Sequence, residues 1–228
     1  MTNAELDRYE ILRARQKFEP FVRRMHPEYD ATPVHRVLMK LLDMFAHRLI
    51  LKMIIPAPPQ HGKSQLSSRD LPSFMLGLDP DLKINLSSYS DTVAKNFNRD
   101  VQRIIDTDEY REIFPDTYLS GSNVVTMSNN YLRNSSVIET VGHKGSFYVV
   151  GRGGSLTSRT VDVSILDDVY KDYTEANSPV IRSTTWDWYT SVVRTRLHNN
   201  SQELIVFTRW HEEDIIGKIE KSEQIIDV

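Results

Sequence analysis

The chain contains no cysteine. That absence excludes a disulfide framework and any zinc site built on thiolates, and it is compatible with a reducing compartment. Long apolar runs are missing too: none approaches the roughly 20 residues a membrane-spanning helix needs. Residues 1–15 are charged throughout and hold no apolar stretch, so no secretory signal is read there. Nor is there an excess of basic charge. With 28 Lys and Arg against 31 Asp and Glu, the net charge is −3. Any contact with nucleic acid is therefore expected through a local patch rather than the whole surface. No repeat, low-complexity tract or internal linker interrupts the chain.

What is present suits an ordinary soluble domain. The 228 residues are 39% hydrophobic and 26% charged, enough for one sizeable packed α/β unit. Residues 1–30 predict helical pieces and a loop. Thr32-Pro33 reads as an N-cap with proline at the first helical position, followed by a buried stripe of Leu38, Leu41, Leu42, Phe45 and Leu49. Residues 49–55, closed by Pro56, predict a buried strand, and 64–71 a helix that Pro72 stops or kinks. A second strand is expected at 83–88. Ser90 and Asp91 then cap a helix with Val93, Phe97, Val101, Ile104 and Ile105 on one face. The Gly- and Ser-rich middle predicts short strands around Val137-Ile138 and Phe147 to Val150. Further strands are expected at 161–166 and 204–208. Between them Ser178-Pro179 opens a helix burying Ile181, Thr184, Trp188 and Val192, and a last helix covers 212–219. Strands alternating with helices predict a mostly parallel sheet covered on both faces.

Two segments carry chemistry. The first runs from Pro56 through Ala57, Pro58, Pro59, Gln60, His61, Gly62 and Lys63 to Ser64, between a strand and a helix. Backbone N–H groups at a helix mouth converge on an anion, a lysine ammonium reaches the outer phosphates, and a serine hydroxyl is a hard ligand for Mg²⁺. The full pattern has glycine where Ala57 stands, and the two prolines donate no N–H, so the cradle is expected from residues 60–64. The ATP-binding set is then Pro59, Gln60, His61, Gly62, Lys63, Ser64 and Gln65. The Gly-Lys-Ser tripeptide alone is a weak signal; its place between strand and helix is what gives it meaning.

The second segment is Val163-Ser164-Ile165-Leu166-Asp167-Asp168, an apolar strand ending in acids. At the carboxyl end of a parallel strand both side chains face a nucleotide crevice. Asp167 is assigned to Mg²⁺ and Asp168 to the attacking water, with Glu175 as the other candidate base. An aspartate pair after a strand is equally compatible with a simple turn; the phosphate loop about a hundred residues earlier favours chemistry.

Three more segments complete a pattern: Ser88-Tyr89-Ser90 leading into residues 98–105, the stretch Gly153 to Arg159, and Thr208-Arg209-Trp210-His211-Glu212-Glu213-Asp214-Ile215-Ile216-Gly217. With the phosphate loop and the double aspartate, the chain from about His35 to Gly217 resembles the N-terminal ATPase domain of a tailed-bacteriophage terminase large subunit. The resemblance implies a RecA-like (ASCE) P-loop NTPase fold and Mg²⁺-dependent ATP hydrolysis. It also implies a homo-oligomeric ring on the capsid vertex that drives double-stranded viral DNA into the procapsid. Portal protein and small terminase subunit are the implied partners, the host cytoplasm the implied location, and no membrane is involved. Thr208 matches the residue that couples hydrolysis to movement. Arg159 and Arg152 both match an arginine that acts on the neighbouring subunit's nucleotide. Residues 1–34 are expected to form a lid on the adenine side, with the base near residues 20–35, and 35–228 the ATPase core. The family's C-terminal nuclease finds no room in this chain, so nuclease activity is not expected of it. Two other readings remain at this stage: a helicase-like translocase, which needs a second RecA-like domain, and a nucleotide-binding scaffold that no longer hydrolyses.

Overall fold

A computed structural model describes residues 2–121, 131–156 and 160–223. Six strands form one sheet: β1 (Lys52–Pro56), β2 (Lys83–Ser88), β3 (Val137–Glu139), β4 (Ser146–Gly151), β5 (Val161–Asp167) and β6 (Leu197–Phe207). Their spatial order is β1-β6-β5-β2-β4-β3, parallel throughout except where β3 pairs antiparallel with β4. The last strand in sequence thus lies between the phosphate-loop strand β1 and the carboxylate strand β5. This order brings three loops side by side at the carboxyl ends of the strands.

Parallel neighbours cannot be joined by a tight turn, so helices carry each crossover. A continuous helical segment runs from α4 (Lys63–Gln65) through a π-helical stretch (Leu66–Asp70) into α5 (Leu71–Leu78), linking β1 to β2. After β2 come α6 (Asp91–Ile105) and α7 (Asp108–Ile113); α8 (Tyr173–Asn177) and α9 (Pro179–Trp188) join β5 to β6; α10 (Ile215–Ser222) follows. The two-residue period of the strands separates two cores. Leu204 and Val206 of β6 face the side covered by α5 and α6, while Ile205 and Phe207 face Trp188, Ile215 and Ile219. Before β1, α1 (Asn3–Gln16), α2 (Phe18–Met25) and α3 (Pro33–Ala46) precede the sheet. Phe18 and Phe21 of α2 lie within 5.5 Å and 5.2 Å of the Phe74 ring, joining this layer to the first core.

Several expectations need correction. Of the two outcomes expected at Pro72, a stop or a kink, the stop is not seen, and the helix runs on with a local distortion instead. The π-helical widening directly precedes the proline, where the ring would otherwise crowd the carbonyl four residues back, and α5 continues to Leu78. Leu49 does not belong to the buried stripe: α3 ends at Ala46, Arg48 takes a left-handed conformation (φ 60°), and Leu49 is 72% exposed. The inner face of α9 is rotated by one residue, burying Arg182, Thr185 and Trp188 while Thr184 is exposed. Arg182 accounts for the offset, because its guanidinium donates inward to the Ala176 carbonyl at 2.9 Å. β6 begins at Leu197, seven residues before the expected start, and its polar first half escapes a hydrophobicity reading. No helix among the described residues is long and apolar enough to cross a membrane.

Candidate active site

Gly62 is the hinge of the phosphate loop. Its φ of 68° is a conformation L side chains rarely adopt, and a Cβ there would stand 3.0 Å from both His35 Nε2 and the Tyr29 hydroxyl. Gln60 is left-handed as well, at φ 62°. The loop is fastened from below: His61 Nδ1 lies 2.7 Å from the Pro59 carbonyl and His35 Nε2 3.1 Å from the His61 carbonyl. His35 is itself positioned by the Thr32 cap, whose N–H donates to Nδ1 at 3.2 Å. Tyr29 and His35 lie in the 20–35 stretch expected near the adenine, but neither was singled out from the sequence.

Lys63 opens the helix and is 4% exposed. Its ammonium donates to Asp168 Oδ1 at 2.9 Å, to Thr208 Oγ1 at 2.5 Å and to the Ala57 carbonyl at 3.3 Å. Asp168 reaches it through a left-handed backbone (φ 42°), which aspartate tolerates better than most residues and which is found at functional sites. The Thr208 N–H donates to the same carboxylate at 2.8 Å. Three strand ends therefore converge on one ammonium: β1 through Ala57, β5 through Asp168, β6 through Thr208.

One helical step on, the Ser64 hydroxyl donates to Asp167 Oδ1 at 3.1 Å, and the Ser68 hydroxyl to Oδ2 at 2.6 Å. Ser68 was not singled out from sequence, yet the spacing of four residues from Ser64 places both on one helix face and could have found it. Asp167 is 1% exposed. Burial pushes its carboxyl up to about 6, with the adjacent Asp168 adding to the rise and the two serine hydroxyls opposing it. No cationic side chain among the described residues donates to Asp167. A buried carboxylate held by two hydroxyls, on which the Lys63 ammonium acts through space without a hydrogen bond, is a hard-oxygen donor set, and it fits Mg²⁺, which takes few protein ligands and keeps waters and phosphate oxygens. No cluster of three or more His, Cys, Asp or Glu that could hold a metal ion is gathered among the described residues.

The family described as "Terminase large subunit, T4likevirus-type, N-terminal" matches residues 54–227. The chain belongs to this family. Membership supports a role as the ATPase part of a DNA-packaging motor. Among solved structures, the ATPase domain of the Thermus phage P74-26 large terminase, in a mutant form, is 16% identical; the match covers 78% of this chain and 70% of that one, with a TM-score of 0.47. No curated protein matches significantly.

In this terminase domain the other candidates are placed as follows. Arg152 lies past the end of β4, where its Nη1 donates to Glu175 Oε2 at 2.8 Å and to the Val169 carbonyl at 2.9 Å. Burial would raise the Glu175 carboxyl, but the Arg152 guanidinium and the Lys171 N–H outweigh it and hold it below its ordinary value. The two residues form a pair of their own, with no contact to Asp168 or Lys63. Arg159 lies outside the described residues. Gln65 turns away from the crevice: its Nε2 meets Asp70 and His26 at 3.2 Å and 3.3 Å.

Proposed function

We propose that this terminase domain hydrolyses ATP with Mg²⁺ and that turnover drives double-stranded viral DNA into a procapsid. The observation that carries the reading is the 3.1 Å contact between Ser64 and Asp167 in the same crevice as Lys63 and Asp168. Bound by Ser64 and Asp167, Mg²⁺ would supply neutralising charge to the β- and γ-phosphate oxygens. The remaining work falls to the chain's own groups. Lys63 exchanges Asp168, Thr208 and the Ala57 carbonyl for phosphate oxygens, so the phosphates take the place of its carboxylate partner. Asp168 is thereby released to orient and polarise the attacking water. Glu175 is tied to Arg152, and its lowered carboxyl is a weaker proton acceptor, which supports Asp168 as the base. Residues 60–64 cradle the phosphates, with Tyr29 and His35 flanking the loop on the side assigned to adenine and to a lid formed by residues 1–34.

Thr208 touches the same ammonium and hydrogen-bonds Asp168, which suits it to pass the change at the phosphates into the loop after β6. The engagement of Arg152 within its own subunit leaves Arg159 as the better candidate to act on a neighbour's nucleotide. Such an arginine requires subunits assembled side by side, in keeping with a ring on the portal vertex in the host cytoplasm, fed by the small terminase subunit. Replacing Lys63 with Ala tests the reading. ATP hydrolysis is expected to fall at least about a hundredfold, measured as phosphate release; wild-type release by that variant would overturn it.

A further inference from the structure

The chain's net charge of −3 leaves open where an acidic polymer could be held. On α6, Lys95, Arg99 and Arg103 recur every four residues and form a cationic row along one face. Arg69, from the π-helical stretch after the phosphate loop, faces this row across a shallow groove. One part of the groove, about 320 Å³, is lined by Arg69, Asn96, Arg99, Asp100 and Arg103. It shares Arg69, Asp100 and Arg103 with a second part of about 450 Å³ that reaches His26 and Gln65.

Two acids lie in or near the row, and their engagement matters. Asp100 accepts from Arg69 Nε at 2.8 Å and from Arg103 Nη1 at 2.9 Å, so one carboxylate holds two guanidinium groups in place without neutralising both. Asp91 is 3.8 Å from Lys95, at the far end. Arg99 leans on the Asn96 side-chain oxygen, a neutral partner. Arg69 also stacks over the Phe97 ring, 4.7 Å from its centre, which fixes the guanidinium plane. The Arg103 side chain is 77% exposed. Three arginines, Arg69, Arg99 and Arg103, against one acid, Asp100, line the groove and leave it positive on an acidic molecule, with Lys95 extending the row beyond it.

We infer that this groove, between α6 and the helix that follows the phosphate loop, holds the phosphate backbone of double-stranded DNA. From Lys95 to Arg103 the row rises about 12 Å, the length of three to four nucleotides along one strand at about 3.4 Å each. A row of that length suits a polymer of evenly spaced anions better than a single phosphate. Its lining has one apolar residue, Ile104, and offers little to an apolar partner. Contacts of this kind position a duplex and carry no sequence preference. Arg69 is one helical turn past Gln65 and belongs to the helix that Lys63 opens, so backbone contact and nucleotide site share one rigid element. The inference rests on the packaging reading above.

The test uses the 228-residue chain and a fluorescein-labelled 30-base-pair duplex, followed by anisotropy across a salt series, with ATP hydrolysis measured on the same samples. The double charge reversal Arg99→Glu/Arg103→Glu is expected to weaken duplex binding at least tenfold. It should flatten the dependence of log K on log salt by about one to two units, with basal ATP hydrolysis unchanged. Arg103→Ala, at an exposed position, should move both quantities in the same direction by less. Unchanged affinity and slope in variants that still hydrolyse ATP would overturn the groove and leave the motor reading standing. A wild-type chain that hydrolyses ATP but binds no duplex, or variants that lose self-association and keep DNA binding, would overturn it as well. A wild-type chain that hydrolyses no ATP at any concentration with Mg²⁺ present would overturn the motor reading and this inference with it.

Discussion

Asp167 and Asp168 are neighbours in sequence with opposite surroundings. Asp167 is sealed and surrounded by hydroxyls; Asp168 is 32% exposed and paired with an ammonium. That asymmetry suits the proposed division between a metal ligand and a group that meets water, and it arises from one left-handed residue that turns the second carboxylate across the strand end. Ser68 completes the first of these environments. Its hydroxyl donates to a buried carboxylate, a kind of hydrogen bond that contributes about 1.5 kcal/mol or more. Ser68→Ala is therefore expected to weaken Mg²⁺-dependent ATP binding by roughly tenfold, as read by titration with a fluorescent nucleotide. Equal affinities in wild type and variant would show that the Ser68 contact plays no part in holding the site.

At the scale of elements, the π-helical stretch does two jobs at once. It puts Ser68 on Asp167 on one side and Asp70 against His26, beyond the end of α2, on the other, at 2.7 Å. The hydrogen bond that His26 donates to Asp70 raises the imidazole above its ordinary 6.5 despite partial burial, while burial raises the fully enclosed Asp70 against the opposing pull of His26. Gln65, Arg69 and Tyr29 also face this pair. In both cases the native state holds protons that the unfolded chain releases, so both contributions decline as pH rises. For His26 the contribution is complete below about pH 6.5 and fades as pH climbs through the raised native value. Melting temperature is accordingly expected to fall from about pH 6.5 to 8 in the wild type, and to fall less steeply in His26→Gln. Parallel curves would contradict the pairing.

The parallel sheet, the Gly-Lys-Ser turn between strand and helix, and the strand ending in acids were legible in the sequence because strong local signals mark them, short apolar runs and the residues that close them. Lys83 to Ser88 was read at its observed bounds for that reason. The neighbour relation of β6, the turned face of α9 and the Asp70–His26 contact were not legible. Each depends on residues far apart in the chain, and Arg182 reads as a surface residue until its buried acceptor, the Ala176 carbonyl, is seen. Whether Pro72 would stop the helix or only distort it was open for a related reason, since a π-helical turn leaves no mark in a hydrophobic period.

For the whole molecule, Arg152 is engaged within its own chain, and the arginine proposed to meet the γ-phosphate comes from a neighbouring subunit. The isolated domain is expected to be a weak ATPase that gains activity on assembly. Mixing Arg159→Ala with Lys63→Ala protein should restore part of the wild-type rate if one subunit supplies the arginine and the other the nucleotide site; no recovery at any ratio would count against Arg159. The most direct measurement is simpler: ATP binding and turnover compared side by side in wild type and Asp168→Asn. Binding is predicted to stay within about threefold while turnover falls at least about a hundredfold, the range of a lost general base. Turnover at the wild-type rate would contradict the assignment of Asp168 and the partner exchange by Lys63 on which it depends.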